Sequence, residues 1–287
     1  MLALPPLAAE QMFTVANFPV FNTYINSTLV VIGFIVFAFF ISRAVKKNIS
    51  KAIAPTGLLN FFESILETLM SYVDQVTHDR KKSLKFLPIV GSLFFFILIS
   101  NWVGLLPGIG SIGIYQMHNG HMELIPLFRP ANTDLNMTLA MAILGVVTSH
   151  ILGIAAIGFF KYANKFIKLG DLWHGFKSGN PIKIFVALIE FMVGIIEVFS
   201  EVAKMVSLSL RLFGNVFAGE VLLTVIASLI AFIIPIPFLG LELLVGLIQA
   251  VVFSMLILVY LTIATTEIHE HHEVGKTEPD LEATPTA

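Results

Sequence analysis

Among the polar side chains in two otherwise overwhelmingly apolar stretches of this chain, seven could do chemistry together: Glu197, Ser207, Arg211, Asn215 and Glu220 before the break at Pro235-Ile-Pro237, and Glu242 and Gln249 after it. Arg211 makes the strongest demand. A guanidinium group does not shed its proton in a protein, and placing one at mid-bilayer costs about 2.5 to 3.5 kcal/mol. Such a cost argues for a use. A fixed positive charge attracts an ionised carboxylate on a partner and repels a passing cation, which is the chemistry of a gate. Carboxyl groups withdrawn from water, with no metal-ligand cluster around them, take up and release protons, which is the chemistry of a relay.

Helical geometry sorts these residues. At about 100° per residue, Ser207 and Asn215 lie about 40° from Arg211, Lys204 about 20° and Glu197 about 40°, so they share one face. Glu220 falls about 180° away, which excludes it as an intrahelical ion-pair partner of Arg211 and leaves Glu197 as the structural alternative. Glu242 and Gln249 are seven apart and share a face within about 20°. If the two helices form an antiparallel hairpin, that face can meet Glu220.

The elements that must position them are membrane helices. Hydrophobic residues make up 56% of the 287 residues, charged residues only 13%, and the mean hydropathy is +0.88, so the chain reads as an all-α integral membrane protein with a single membrane domain over 1–287. The net charge of -2 gives no reason to expect a nucleic-acid partner, and without cysteine there is no disulfide or thiolate metal site. Met1 to Gln11 lack the basic region of a cleaved signal peptide. An external segment, 1–23, precedes a first span at 24–42, followed by Arg43, Lys46, Lys47 and Lys51. Apolar residues at helical spacing predict an interfacial amphipathic helix over 57–77. Arg80, Lys81, Lys82 and Lys85 lead into a second span, 86–106; an external loop, 107–134, and a third span, 135–160, follow, closed by Lys161, Lys165 and Lys168. All three basic clusters agree on an external N-terminus and a cytoplasmic C-terminus. A long, strongly tilted hairpin at 181–234 and 238–268 makes about five membrane-embedded helices in all, ahead of a polar tail at 269–287.

Other polar residues have plainer readings. Glu190 and Glu201 snorkel or pair with Lys204, and His150 reads as a packed or helix-bonding histidine, with a functional role as the alternative. Asn101 and Asn136 fit helix-packing hydrogen bonds as well as a channel lining. The run Glu267-Ile-His-Glu-His-His-Glu273 reads as a solvated helix end rather than a metal site. There is no inverted repeat of the kind expected of an ion antiporter, and no phosphate-binding glycine loop for a nucleotide.

The run Ser-Leu-Ser-Leu-Arg-Leu-Phe-Gly-Asn-Val-Phe-Ala-Gly-Glu from Ser207 to Glu220 closely resembles the signature of the a subunit of the F-type rotary ATP synthase. Asn101-Trp-Val-Gly-Leu-Leu-Pro107, Thr133-Asp-Leu-Asn-Met-Thr138 and the stretch from Gln249 to Tyr260-Leu-Thr-Ile-Ala are similar to other parts of that family. The resemblance implies a stator beside a c-ring. In it, a buried Arg211 faces the ring carboxylate, displaces its proton and prevents a short circuit between two offset half-channels. It implies that Asn215, Glu220, Glu242 and Gln249 line the outer half-channel, with Glu197 and Ser207 at the cytoplasmic exit. Some family members carry His at the Glu242 position, and many have Pro where this chain has Met205. It further implies no catalysis by this chain alone and no cofactor or metal. The implied partners are the c-ring, b-type peripheral stalk subunits, other ATP synthase subunits and the lipid of a bacterial plasma membrane.

Overall fold

The computed structural model describes residues 9–15, 18–51, 57–106, 108, 112–118, 121–166, 181–230 and 233–266. Pro107, Lys168 and the tail from Glu267 onward lie outside the described residues. Helices dominate: α1 (Asn22–Lys51), α2 (Leu58–Thr77), α3 (Arg80–Leu105), α4 (Leu135–Ile157), α5 (Phe159–Phe166), α6 (Pro181–Leu229) and α7 (Pro235–Thr265). Two small antiparallel hairpins, β1 (Gln11–Val15) with β2 (Phe18–Phe21) and β3 (Gly113–His118) with β4 (His121–Pro126), are the departures from helix.

Among the described residues, α1, α3, α4 and α7 are long and apolar enough to cross a membrane. The chain is an integral membrane protein, and its exterior agrees: Ile32, Ile35, Phe39 and Phe40 of α1 are all more than half exposed. The helix α6 is different in kind. Its 49 residues reach about 74 Å at ~1.5 Å per residue, far beyond a hydrocarbon core of ~30 Å.

Local chemistry sets several helix ends. Asp79 caps α3 by accepting the Lys81 N–H at 2.9 Å, and Asp134 caps α4 by accepting the Asn136 N–H at 2.9 Å. The α1 helix does not stop where its apolar run does, but continues through Arg43, Lys46 and Lys47 to Lys51. The third apolar run is cut short instead: α4 ends at Ile157 because Gly158 takes φ 95°, a conformation open to glycine, and α5 starts in a new direction.

The core lies where α3, α4, α6 and α7 meet. Val90 and Ile97 of α3, Ala142 of α4, Leu208 and Leu212 of α6, and Phe253, Ile257 and Leu261 of α7 are all buried together. The amphipathic α2 adds Leu69 and Val73 to this core through its contact with α3, so part of its apolar stripe faces protein. Close helix approach depends on small residues: a Cβ at Gly145 would run into Ile257.

The segment between α3 and α4 is more than a surface connection. After β4 the chain turns inward, and Arg129, Ala131, Asn132, Thr133 and Asp134 are all buried. Asn26 of α1 donates to the Arg129 carbonyl at 2.8 Å, and Thr23 donates to the Asp134 carboxylate at 3.2 Å. Asn132 donates to the Asn101 side-chain oxygen of α3 at 2.6 Å. Asn101 in turn donates to the Gly246 carbonyl of α7 at 3.4 Å. This polar knot ties α1, α3 and α7 to a single segment with one 3-10 turn at Ala131–Thr133, and it supplies the Arg129 carbonyl with a donor.

Candidate functional site

The buried end of that segment holds the charge that organises the site. Arg129 is only 2% exposed, and its Nη2 lies 3.3 Å from Glu220 Oε2 on α6. The α3 helix can come this close because Gly104 has no side chain where the Pro130 ring lies. Glu242 arrives from α7 beside Gly219, and a Cβ on Gly219 would occupy the space of its carboxylate. Glu220 and Glu242 thus border one cleft of about 220 Å³, together with Asn101, Arg129 and Thr224. At ~30 Å³ per molecule such a space holds several waters.

Farther along the contact between α6 and α7, Asn215 Nδ2 donates to Gln249 Oε1 at 2.7 Å. Gln249 is 3% exposed and its Nε2 finds no protein acceptor, so a donor remains on the buried side of this bridge. Four residues forward on α6 and seven back on α7 lead from this rung to the Gly219–Glu242 contact, as an antiparallel crossing requires.

Arg211 sits one turn before Asn215, on the exposed face of α6 with Ser207 and Asn215, while Leu208, Ser209, Leu212 and Val216 point into the core. The arginine expected to be buried is therefore exposed on this chain by itself, and Arg129 is the buried one. The reason is periodicity: the apolar core face of α6 falls on 208, 212 and 216, which turns 207, 211 and 215 outward. Among the described residues Arg211 makes no ion pair. Leu210 and Val206 beside it are also exposed, so the charge emerges from an apolar surface. Glu197 is partly exposed, and Glu201 does pair with Lys204, at 2.7 Å.

The structure brings Glu220 and Glu242 to one cleft and Asn215 and Gln249 to one hydrogen bond, and sets Arg211 and Ser207 on a separate outward face. Sequence reasoning missed Arg129, Asn132 and Ser209, the last hydroxyl lying 3.2 Å from that of Thr138. One signal for Arg129 was available: it is the single basic residue in a stretch placed outside, where basic residues are disfavoured.

A family model described as ATP synthase A chain matches residues 26–262. Curated relatives match over similar lengths. The chain is 30% identical to "ATP synthase subunit a" of Mycobacterium ulcerans, covering 88% of this chain and 89% of that one. It is 30% identical to the protein of the same name from Geobacter sulfurreducens, covering 75% and 77%. With that of Campylobacter jejuni it shares 32%, covering 78% and 83%.

Proposed function

Because this chain belongs to the ATP synthase A chain family, we propose that it moves protons through two offset ports beside a ring of c subunits, with Arg211 as the charge that separates them. As a family member it is a membrane subunit of ATP synthase that does not itself act on ATP, and its role is proton transport. In the fuller reading, protons enter from outside through the cleft of Glu220 and Glu242. They pass the Asn215–Gln249 bridge and reach a ring carboxylate. After nearly a full turn the carboxylate meets Arg211, whose fixed charge displaces the proton toward Glu197 and Ser207 and the inner side. The direction reverses during ATP hydrolysis. The membrane in this reading is a bacterial plasma membrane, with the N-terminus outside, the C-terminus cytoplasmic and α6 embedded as a fifth, tilted helix. Peripheral stalk subunits of the b type hold the chain still against the ring.

The observation that carries this reading is the division of α6. Its Glu220 side closes on Glu242 around a polar cleft, while its Arg211 side is an exposed cation in an apolar surface. A cleft on one side and an unmatched charge on the other suit a proton entrance and a carboxylate-bearing partner. ATP-driven proton pumping in inverted vesicles carrying Arg211→Ala tests it, with assembly, hydrolysis and passive leak measured alongside. Pumping is expected to vanish in an assembled complex; near-normal pumping would refute the gate.

A further inference from the structure

A second group of titratable side chains lies at the far ends of α4 and α5, away from the Arg129 cleft. His150 Nδ1 is 2.7 Å from the Tyr162 hydroxyl, and His150 Nε2 is 3.6 Å from Glu201 Oε2 on α6. The other Glu201 oxygen accepts from Lys204 Nζ at 2.7 Å, and that ammonium lies 5.3 Å from the centroid of the Tyr260 ring on α7. Among the described residues Glu197 is the remaining acid here, near enough for its charge to act on Tyr162. The fold is shaped around this meeting. The Gly158 turn sends α5 in a new direction, and Gly153 leaves room for the Tyr162 ring, which is packed to 6% exposure. Between the helices is a cleft of about 330 Å³, lined by His150, Tyr162 and Glu201 among apolar neighbours such as Ile154 and Phe166.

Imidazole is the side chain whose ordinary titration spans neutral pH, and here it touches a carboxylate on the helix that carries Arg211. Glu201 is ten residues before Arg211, about 15 Å along the axis. We infer that His150 and Glu201 form the proton-exchanging pair at the inner port, with Tyr162 and Lys204 as positioning residues that hold one partner each. The inference rests on the two-port reading above. In the imidazolium form, the Nε2 proton faces Glu201 and the Nδ1 proton faces the Tyr162 oxygen. Transfer from Nε2 breaks one N–H bond and forms one O–H bond, leaving a neutral imidazole and a carboxylic acid. A proton from the inner aqueous phase then restores the imidazolium, and Glu201 passes its own on along the face of Glu197 and Ser207.

The test uses the intact complex in inverted vesicles, whose inner port faces the medium, with ATP-driven pumping compared at about pH 6.5 and about pH 8.5. In Glu201→Gln and His150→Gln, pumping per assembled complex is expected to fall about tenfold at the alkaline pH, where protons are scarce, and far less at the acid one. Added imidazole buffer should restore much of the loss, which a purely structural defect would not allow. If His150→Gln does not assemble, the isosteric Glu201→Gln carries the test. Rates within about twofold of the parent at both pH values, or a uniform loss that imidazole does not relieve, would overturn the inference. Arg211→Ala in parallel separates the two readings. If it abolishes pumping while the inner variants behave as the parent, only the inner pair is wrong; if it pumps normally, both fall.

Discussion

Arg129 and Arg211 are the same side chain in opposite circumstances. The first is 2% exposed, bonded to Glu220 and walled in by a polar knot that reaches α1, α3 and α7. The second stands on an outward face of α6 with no ion pair among the described residues. A chain that buries a guanidinium must satisfy it internally, and the result is architecture; one that leaves a guanidinium in an apolar surface relies on something outside itself. Burial within one chain identifies the charge that builds a site, whereas in the proposed function the charge that operates it is the one the chain leaves unmatched.

The contrast can be broken most forcefully at Arg129. Removing it strands Glu220, and loss of one partner of a buried pair costs about 3 to 5 kcal/mol, so Arg129→Ala should sharply lower the thermal stability of the detergent-purified complex. Arg211→Ala should change the same stability by less than about 0.5 kcal/mol while abolishing pumping. Removing both charges, in Arg129→Met with Glu220→Leu, should recover part of the stability but not the pumping. Equal destabilisation by the two single arginine variants would erase the distinction.

A milder change acts on the cleft alone. The Cβ of Gly219→Ala falls where the Glu242 carboxylate lies, and a flexible side-chain end can move away at small cost in stability. Pumping should nevertheless drop about tenfold, because a relay group displaced by an ångström or so no longer lies in line. Unchanged pumping would mean that the position of Glu242 does not matter. The smallest effect concerns the bridge between the two faces: a double-mutant cycle of Asn215→Ala and Gln249→Ala should show a coupling of about 1 kcal/mol in thermal stability, and additivity would mean that their hydrogen bond contributes nothing.

Much of this was legible from the sequence because it depends on short-range periodicity. The opposition of Arg211 and Glu220 follows from nine residues of helix, and the approach of Glu242 to Glu220 from a proline break that allows an antiparallel return. What could not be read depends on closure over long distances. Arg129 meets a carboxylate 91 residues away, and Asn26 a carbonyl 103 residues away, through an irregular segment with no period to extrapolate. The helix α4 ends at Ile157, before the apolar run does, because hydropathy continues past Gly158 whereas the helical backbone does not. The exposure of Arg211 was hidden for another reason: an apolar stretch looks alike in sequence whether it faces its own core, lipid or another subunit.

In the proposed function the Arg211 face of α6 lies against the ring carboxylate, and the sequence, which has no cysteine, makes a direct test clean. A cysteine at Ser207, on that face, and another at Ser209, on the core face, can each be paired with a cysteine placed beside the carboxylate of the c subunit. Disulfide formation needs Cα atoms within about 7 Å. Oxidation should cross-link Ser207→Cys to the ring and leave Ser209→Cys uncrossed in complexes that assemble normally. No cross-link from 207, or an equal yield from 209, would contradict the account.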